Sequence, residues 1–297
     1  MKPRWIPLAL FVCPLLVSAG QDGLDDYKAR KARINELRRQ LSVPEEADRL
    51  SAAKELGGIF DEDARSLLTN EMTTDTEAVR IAAAKAIILH KKAVCAQSLG
   101  NAIQANARNA KLVKAFVEAL KELDMCASLP ILAIVARSNC AMADAALEAI
   151  VAIGCPEAGQ FLIPVLREAE AEEKKPDFFE DLGSGSNPLD PRPRDRDRDR
   201  DRDRDRRIEN KNKDKNLAAL APKVRQTLSK VAGQSFKDSK EASAWLARGE
   251  HRAGLVCVYL CEATRKTYEL PAGKPKKCPN PDEKATHEET LLKHVRK

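Results

Sequence analysis

Four similar stretches, spaced about thirty residues apart, limit what this chain can fold into. In each stretch apolar residues recur three and four positions apart, which predicts an amphipathic helix. The apolar residues at their centres are separated by 31, 33 and 30 residues. A fixed period of this size indicates stacked repeats. The stretches are Arg49–Phe60, Arg80–Lys91, Val113–Met125 and Asp144–Pro156.

A second helical pattern precedes each later stretch, and a last one closes the array. One helix pair cannot bury its own apolar face, so we expect the pairs to stack on one another. Before them, Asp25–Leu41 predicts a capping helix, because Ile34, Leu37 and Leu41 form one narrow apolar stripe. The additional patterns are Asp63–Met72, Ala93–Ala105, Leu129–Ala136 and Gly159–Arg167.

These repeats resemble HEAT repeats of the short bacterial type. The matching marks are Arg49 and Arg80 near the start of the second helix and Pro130 and Pro164 in the first helix. The chain departs from the family at His90, where the pattern has leucine. The resemblance covers roughly residues 45–170 and implies an α-solenoid of about four helix pairs that binds a protein partner.

Some bacterial HEAT-like proteins resemble bilin lyases, which attach pigments to cysteines. An aromatic content of only 4% and a predicted export signal argue against that activity here. The sequence also lacks a Gly-rich phosphate loop, a His-Glu-x-x-His motif and a Gly-x-Ser-x-Gly motif. We therefore expect no catalytic residue, no cofactor and no metal site.

The first twenty residues predict a secretory signal peptide. Lys2 and Arg4 precede a short apolar run, and Val17–Ala19 is a pattern of small residues suited to cleavage. An uncleaved anchor is the alternative. We expect the HEAT-like part, residues 21–172, to be secreted or to lie in the periplasm or envelope, with no membrane span after cleavage.

Residues 173–216 predict a disordered linker, because they offer almost no apolar surface to bury. The linker contains Arg194–Arg206, in which arginine and aspartate alternate. Each arginine has an adjacent aspartate, so we expect a self-screened spacer, and nucleic acid is disfavoured as a partner. Arg-Asp tracts of nuclear RNA-associated proteins resemble this run. Polyanion or RNA binding is therefore the alternative function.

Charge is unevenly distributed along the chain. Residues 21–172 carry 19 basic and 23 acidic side chains, a net charge of −4. Residues 216–297 carry 16 and 9, a net charge of +7. The two parts could attract one another, or the basic part could bind an anionic surface.

The chain after the linker predicts a small α+β module. Residues 217–250 predict a helical pair, similar to the segment that often follows HEAT-like repeats in secreted bacterial proteins, with Phe236 and Trp245 as a mini-core. Residues 251–297 predict a ribbon-like β-hairpin and a C-terminal helix that a capping box at Thr286–Glu289 would open.

The cysteines fall into two groups. Cys95, Cys126 and Cys155 follow the repeat period, so we expect them about 10 Å apart. That separation is too large for disulfides, which favours small buried apolar residues. His90 near Cys95 leaves a metal or nucleophile pair as an alternative.

The C-terminal cysteines lie in a layout similar to a zinc ribbon. Cys257, Cys261 and Cys278 do not form the two closely spaced pairs that such a site needs. We interpret the module as a degenerate ribbon without zinc, with a possible disulfide between Cys261 and Cys278. His287 is a possible stray ligand. The whole pattern favours a non-enzymatic extracytoplasmic scaffold or adaptor.

Overall fold

The computed structural model describes residues 15–138, 141–174, 216–249, 255–261, 267–271 and 289–296. In these ranges the protein is mainly helical, with a small three-stranded antiparallel sheet. The helices are α1 (Leu15–Gln40), α2 (Glu46–Leu56), α3 (Glu62–Thr74), α4 (Glu77–Ile87), α5 (Ala93–Ala105), α6 (Ala110–Leu123), α7 (Leu129–Ser138), α8 (Ala143–Ile153), α9 (Ala158–Glu173), α10 (216–232) and α11 (Ser239–Ala247). The strands are β1 (Leu255–Cys261), β2 (Thr267–Pro271) and β3 (Glu289–Arg296).

Helices α1 to α9 pack in two rows. The odd-numbered helices contact one another in series from α1 to α9, and the even-numbered helices do so from α2 to α8. Each odd-numbered helix from α1 to α7 also packs against the even-numbered helix that follows it. The eight helical patterns of the repeats and the capping helix are therefore confirmed as helices.

The interior of the rows consists mainly of alanine and aliphatic side chains. Small residues let the helices approach closely, as at Gly57, where an added Cβ would lie 2.9 Å from the Cβ of Ala86. Ile34, Leu37 and Leu41 of α1 are buried, as the sequence predicts. No helix in the part of the chain that the structure describes is both long and apolar enough to cross a bilayer.

Two arginines at equivalent repeat positions bridge neighbouring elements. Arg49 donates from Nε to Asp75 Oδ2 at 2.9 Å. Arg80 donates to the Asn106 side chain, and its Nε donates to the backbone oxygen of Asp75 at 2.5 Å. Each side-chain acceptor lies 26 residues after its arginine. Arg49 and Arg80 therefore fasten the start of an even-numbered helix to a following turn.

Helices α10 and α11 confirm the predicted helical pair. The side chain of Asp238 accepts a hydrogen bond from the Glu241 N–H and so caps α11. The rings of Phe236 and Trp245 pack with centroids 5.4 Å apart. Trp245 also lies against Gly159 of α9, where an added Cβ would be 3.1 Å from the indole ring. The predicted mini-core is thus continuous with the core of the helical rows.

The predicted C-terminal helix is wrong, because residues 289–296 form strand β3. Strand β1 lies at the centre of the sheet and pairs antiparallel with β2 on one edge and β3 on the other. Backbone groups on the second edge of β1 need partners. The capping box is only a local signal. The hydrogen bonds of this ladder and the burial of Leu292 outweigh it. The predicted linker, apart from its ends, lies outside the described residues.

Candidate functional site

An open groove of about 470 Å³ lies between α5 and α7. Both helices belong to the odd-numbered row, so the groove runs between two neighbouring repeats. Gly100 contributes no side chain, and Ile131 packs into the space beside it, with an added Cβ at Gly100 only 3.1 Å from Ile131 Cδ1. The lining residues are Gln97, Gly100, Asn101, Ile103, Gln104, Ala107, Ile131, Ile134, Val135 and Ser138.

The groove combines an apolar floor with carboxamides along one side. Ile103 and Val135 are buried, whereas Ile134 remains 53% exposed. Three exposed carboxamides follow one stripe of α5, at positions separated by four and three residues, so they face the same way. They are Gln97, Asn101 and Gln104. Carboxamides donate and accept hydrogen bonds, and the groove is lined by uncharged side chains.

The expectation that the repeat cysteines lie too far apart to bond is wrong for one pair. Cys126 and Cys155 form a disulfide, with their Cα atoms 6.0 Å apart. Cys126 begins the short 3-10 turn before α7, and Cys155 lies in the turn before α9. Their separation is therefore not that of two helix axes. Cys95 is buried as expected, and burial raises the pKa of its thiol.

The structure describes only some of the other cysteines and histidines that the sequence singled out. Cys261 ends β1 and is buried, but Cys278 lies outside the described residues, so their disulfide stays a prediction. His90 is buried, and its ring packs edge-on against Phe60 at 5.7 Å. His287 also lies outside the described residues.

The basic C-terminal part contacts the acidic helical rows through charged side chains. These contacts agree with the alternative that the two parts attract one another, which stays a prediction. Two of the pairs involve consecutive residues of β3, and two involve α10. The pairs are Lys223–Asp144 at 2.7 Å, Arg225–Glu170 at 3.1 Å, Lys293–Asp124 at 2.5 Å, and His294–Glu157.

Glu170 on α9 joins three helices at this junction. Its carboxylate accepts hydrogen bonds from the Ser239 N–H at 3.2 Å, the Ser239 hydroxyl at 2.7 Å and Arg225 at 3.1 Å. Burial alone would raise the pKa of Glu170, but the bonds from Ser239 and Arg225 outweigh it and hold the pKa below its usual value. This carboxylate therefore fixes the start of α11.

A second buried carboxyl group lies beside Arg49. Burial raises the pKa of Glu71, and the neighbouring Asp75 adds to that effect. Burial also disfavours the charged form of Asp75, but hydrogen bonds, above all from Arg49, hold its pKa below the usual range. Two neighbouring carboxyl groups whose pKa values are shifted in opposite directions can act in acid–base catalysis. Here Asp75 accepts from the repeat arginine and from the Thr76 N–H, which indicates a structural role.

Sequence reasoning identified neither the groove nor the junction residues. A glycine inside a helical pattern, with three carboxamides on the adjoining stripe, is the signal that marks the groove. The sequence matches no protein-family model, and no curated protein matches it.

Proposed function

We propose that this protein is a non-enzymatic extracytoplasmic scaffold or adaptor built on a HEAT-like α-solenoid. The serial contacts along both rows of helices support the solenoid, because each repeat in such a fold contacts mainly its neighbours. The two repeat arginines and their acceptors support the HEAT-like assignment. Export rests on the signal-peptide pattern of residues 1–20.

The observation that carries the binding role is the groove between α5 and α7. A single exposed isoleucine on a protein surface needs no explanation. Ile134 differs because it adjoins a concave surface whose floor is apolar and whose side carries hydrogen-bonding groups, which is the usual character of a binding site.

The groove suits an uncharged polypeptide segment with one or two aliphatic side chains. Aliphatic side chains of the partner would cover Ile134, and complete burial of such a side chain contributes about 1.5–3 kcal/mol. The carboxamides of Gln97, Asn101 and Gln104 would pair with backbone N–H and C=O groups of the partner. Charged peptides are disfavoured, because the groove offers no charge to offset their desolvation.

Selection from a library of displayed random peptides tests this proposal. We expect the bound peptides to be uncharged and to share an aliphatic position. Ile134→Arg should weaken their binding at least tenfold, whereas Val94→Arg, at an exposed aliphatic position outside the groove, should not. Selected peptides that bind equally well to both variants would contradict the assignment.

The alternative function is polyanion or RNA binding through the basic C-terminal part and the Asp-Arg run. The run lies outside the described residues. Within the described part, Lys223, Arg225 and Lys293 each pair with an acidic group of the helical rows. Those pairings reduce the positive charge that this part offers to phosphates, so the contacts do not favour the alternative.

A further inference from the structure

We infer that Cys126, Glu157 and His294 bind a zinc-type divalent cation when the Cys126–Cys155 disulfide is reduced. One ligand atom from each of the three residues lies within 4.8 Å of the other two. The three side chains are partly buried, so an ion can reach them without unfolding of the core. The inference concerns a site separate from the groove and does not depend on the proposed adaptor function.

Three different elements bring these side chains together. Cys126 begins the turn before α7, Glu157 lies at the start of α9, and His294 lies on β3. Strand β3 is an edge strand whose pairing with β1 shifts register between Val258 and Tyr259. The cluster is formed by the tertiary fold and not by a local helical motif, because His294 and Cys126 are 168 positions apart in the chain.

Contacts between β3 and the helical rows place His294 beside Cys126. Lys293 Nζ pairs with Asp124 Oδ2 at 2.5 Å, next to the turn that carries Cys126. The backbone N–H of His294 donates to Cys126 Sγ at 3.4 Å. An N–H that donates to sulfur stabilises a thiolate, the form of cysteine that binds metal.

Glu157 supplies the observation that points to a ligand. One of its carboxylate oxygens, Oε1, contacts the His294 ring. The other, Oε2, is buried and accepts no hydrogen bond within the described residues. A buried acceptor without a partner carries a desolvation cost. A cation between the carboxylate, the imidazole and the sulfur would remove that cost.

The donor set selects the ion. Thiolate and imidazole favour zinc over magnesium and calcium, which prefer oxygen ligands. Zinc commonly takes four ligands in a tetrahedral arrangement from cysteine, histidine and carboxylate. Reduction by a dithiol transfers two electrons and two protons to the disulfide, which gives two thiols and oxidises the dithiol. The metal then displaces the proton of the Cys126 thiol, and Cys155, released beside it, is available as a fourth ligand.

The disulfide-bonded state and the metal-bound state connect different sets of elements. The disulfide joins the turn before α7 to the turn before α9. The metal would also engage His294 and would therefore fasten β3 to the helical rows. Metal binding by the reduced protein should accordingly protect the C-terminal segment from proteolysis more than reduction without metal does.

Cobalt titration of the full-length protein tests the inference. The protein is reduced with a dithiol, the dithiol is removed without oxygen, and Co²⁺ is added. We expect one equivalent to give thiolate-to-cobalt charge transfer and tetrahedral d–d bands, both displaced by Zn²⁺. The oxidised protein should give neither. Glu157→Gln and His294→Ala should each weaken binding roughly tenfold or more and leave the helical circular dichroism unchanged.

Cys126→Ser and Cys257→Ser separate this site from the cysteines of β1. Cys257 is also buried and lies on β1. A weaker charge-transfer band and a lower cobalt affinity in Cys126→Ser, where only Cys155 could supply a thiolate, with both unchanged in Cys257→Ser, is the expected result. Unchanged band and affinity in Cys126→Ser, or unchanged affinity in both Glu157→Gln and His294→Ala, would overturn the inference.

Discussion

Glu170→Gln tests whether a buried carboxylate holds the C-terminal helices on the rows. The substitution preserves side-chain shape but removes the charge that accepts from Ser239 and Arg225. The amide also presents an N–H where two donors of Ser239 converge. Glu168→Gln, two residues away, is the matched control, because the side chain of Glu168 is 41% exposed and pairs with the 57% exposed side chain of Arg137.

The expected loss follows from the hydrogen bonds. Bonds to a charged group contribute about 1.5–3 kcal/mol and neutral bonds about 0.5–1.5 kcal/mol, so each of the two bonds from Ser239 loses about 1 kcal/mol. Arg225 is 32% exposed and adds less, because solvent screens that pair. We expect Glu170→Gln to lower the free energy of unfolding by about 2–3 kcal/mol. Glu168→Gln should change it by less than about 0.5 kcal/mol.

Urea denaturation followed by Trp245 fluorescence measures this difference at the junction itself. The pKa of Glu170 is lower in the folded protein, so its contribution is present at neutral pH. It is lost as pH falls below about 4 and through the folded pKa. The gap between wild type and Glu170→Gln should therefore narrow in acid. Equal effects of the two substitutions at pH 7, or a gap that widens in acid, would contradict a stabilising charge on Glu170.

Three further predictions concern the rest of the chain. Replacing Cys126 and Cys155 with alanine should lower the free energy of unfolding by about 3.5 kcal/mol in urea denaturation without metal, because the disulfide closes a loop with a sequence separation of 29; an unchanged value in oxidised protein would contradict that bond. Gly57→Ala should destabilise the protein by about 1–3 kcal/mol, because its Cβ would meet the backbone of Ala86. Calorimetry should show a smaller change for Gly58→Ala, whose Cβ has its nearest neighbour at 3.4 Å. Deletion of residues 194–206 should leave the thermal midpoint almost unchanged, and a large drop would show that the run packs against the helices.

The helices were predictable because their signal is periodic and local. Apolar residues three and four positions apart placed α2 to α8 within a few residues of their observed bounds, whereas α9 continues to Glu173, past its predicted end at Arg167. Arg49 and Arg80 were recognisable by their place in the repeat, although their acceptors were not. Those acceptors lie in turns, and a short sequence pattern does not show in which direction a turn sends the chain.

The functional features depend on contacts between distant residues. Glu170 meets Ser239 across 69 positions, and His294 meets Glu157 across 137. Nothing in the local sequence of either segment specifies those encounters. The Cys126–Cys155 bond was missed for a different reason, because the repeat spacing predicts the separation of helix axes and not that of the turns. The groove likewise requires the relative position of α5 and α7.

Photo-crosslinking in the cells that produce this protein tests the adaptor role most directly. A photoreactive side chain is placed at Ile134, in the groove, or at Lys114, on an exposed position of α6. We expect a discrete crosslinked protein in the envelope or secreted fraction from position 134 and none from position 114. The same product from both positions, or no product from position 134, would contradict a partner-binding groove between α5 and α7.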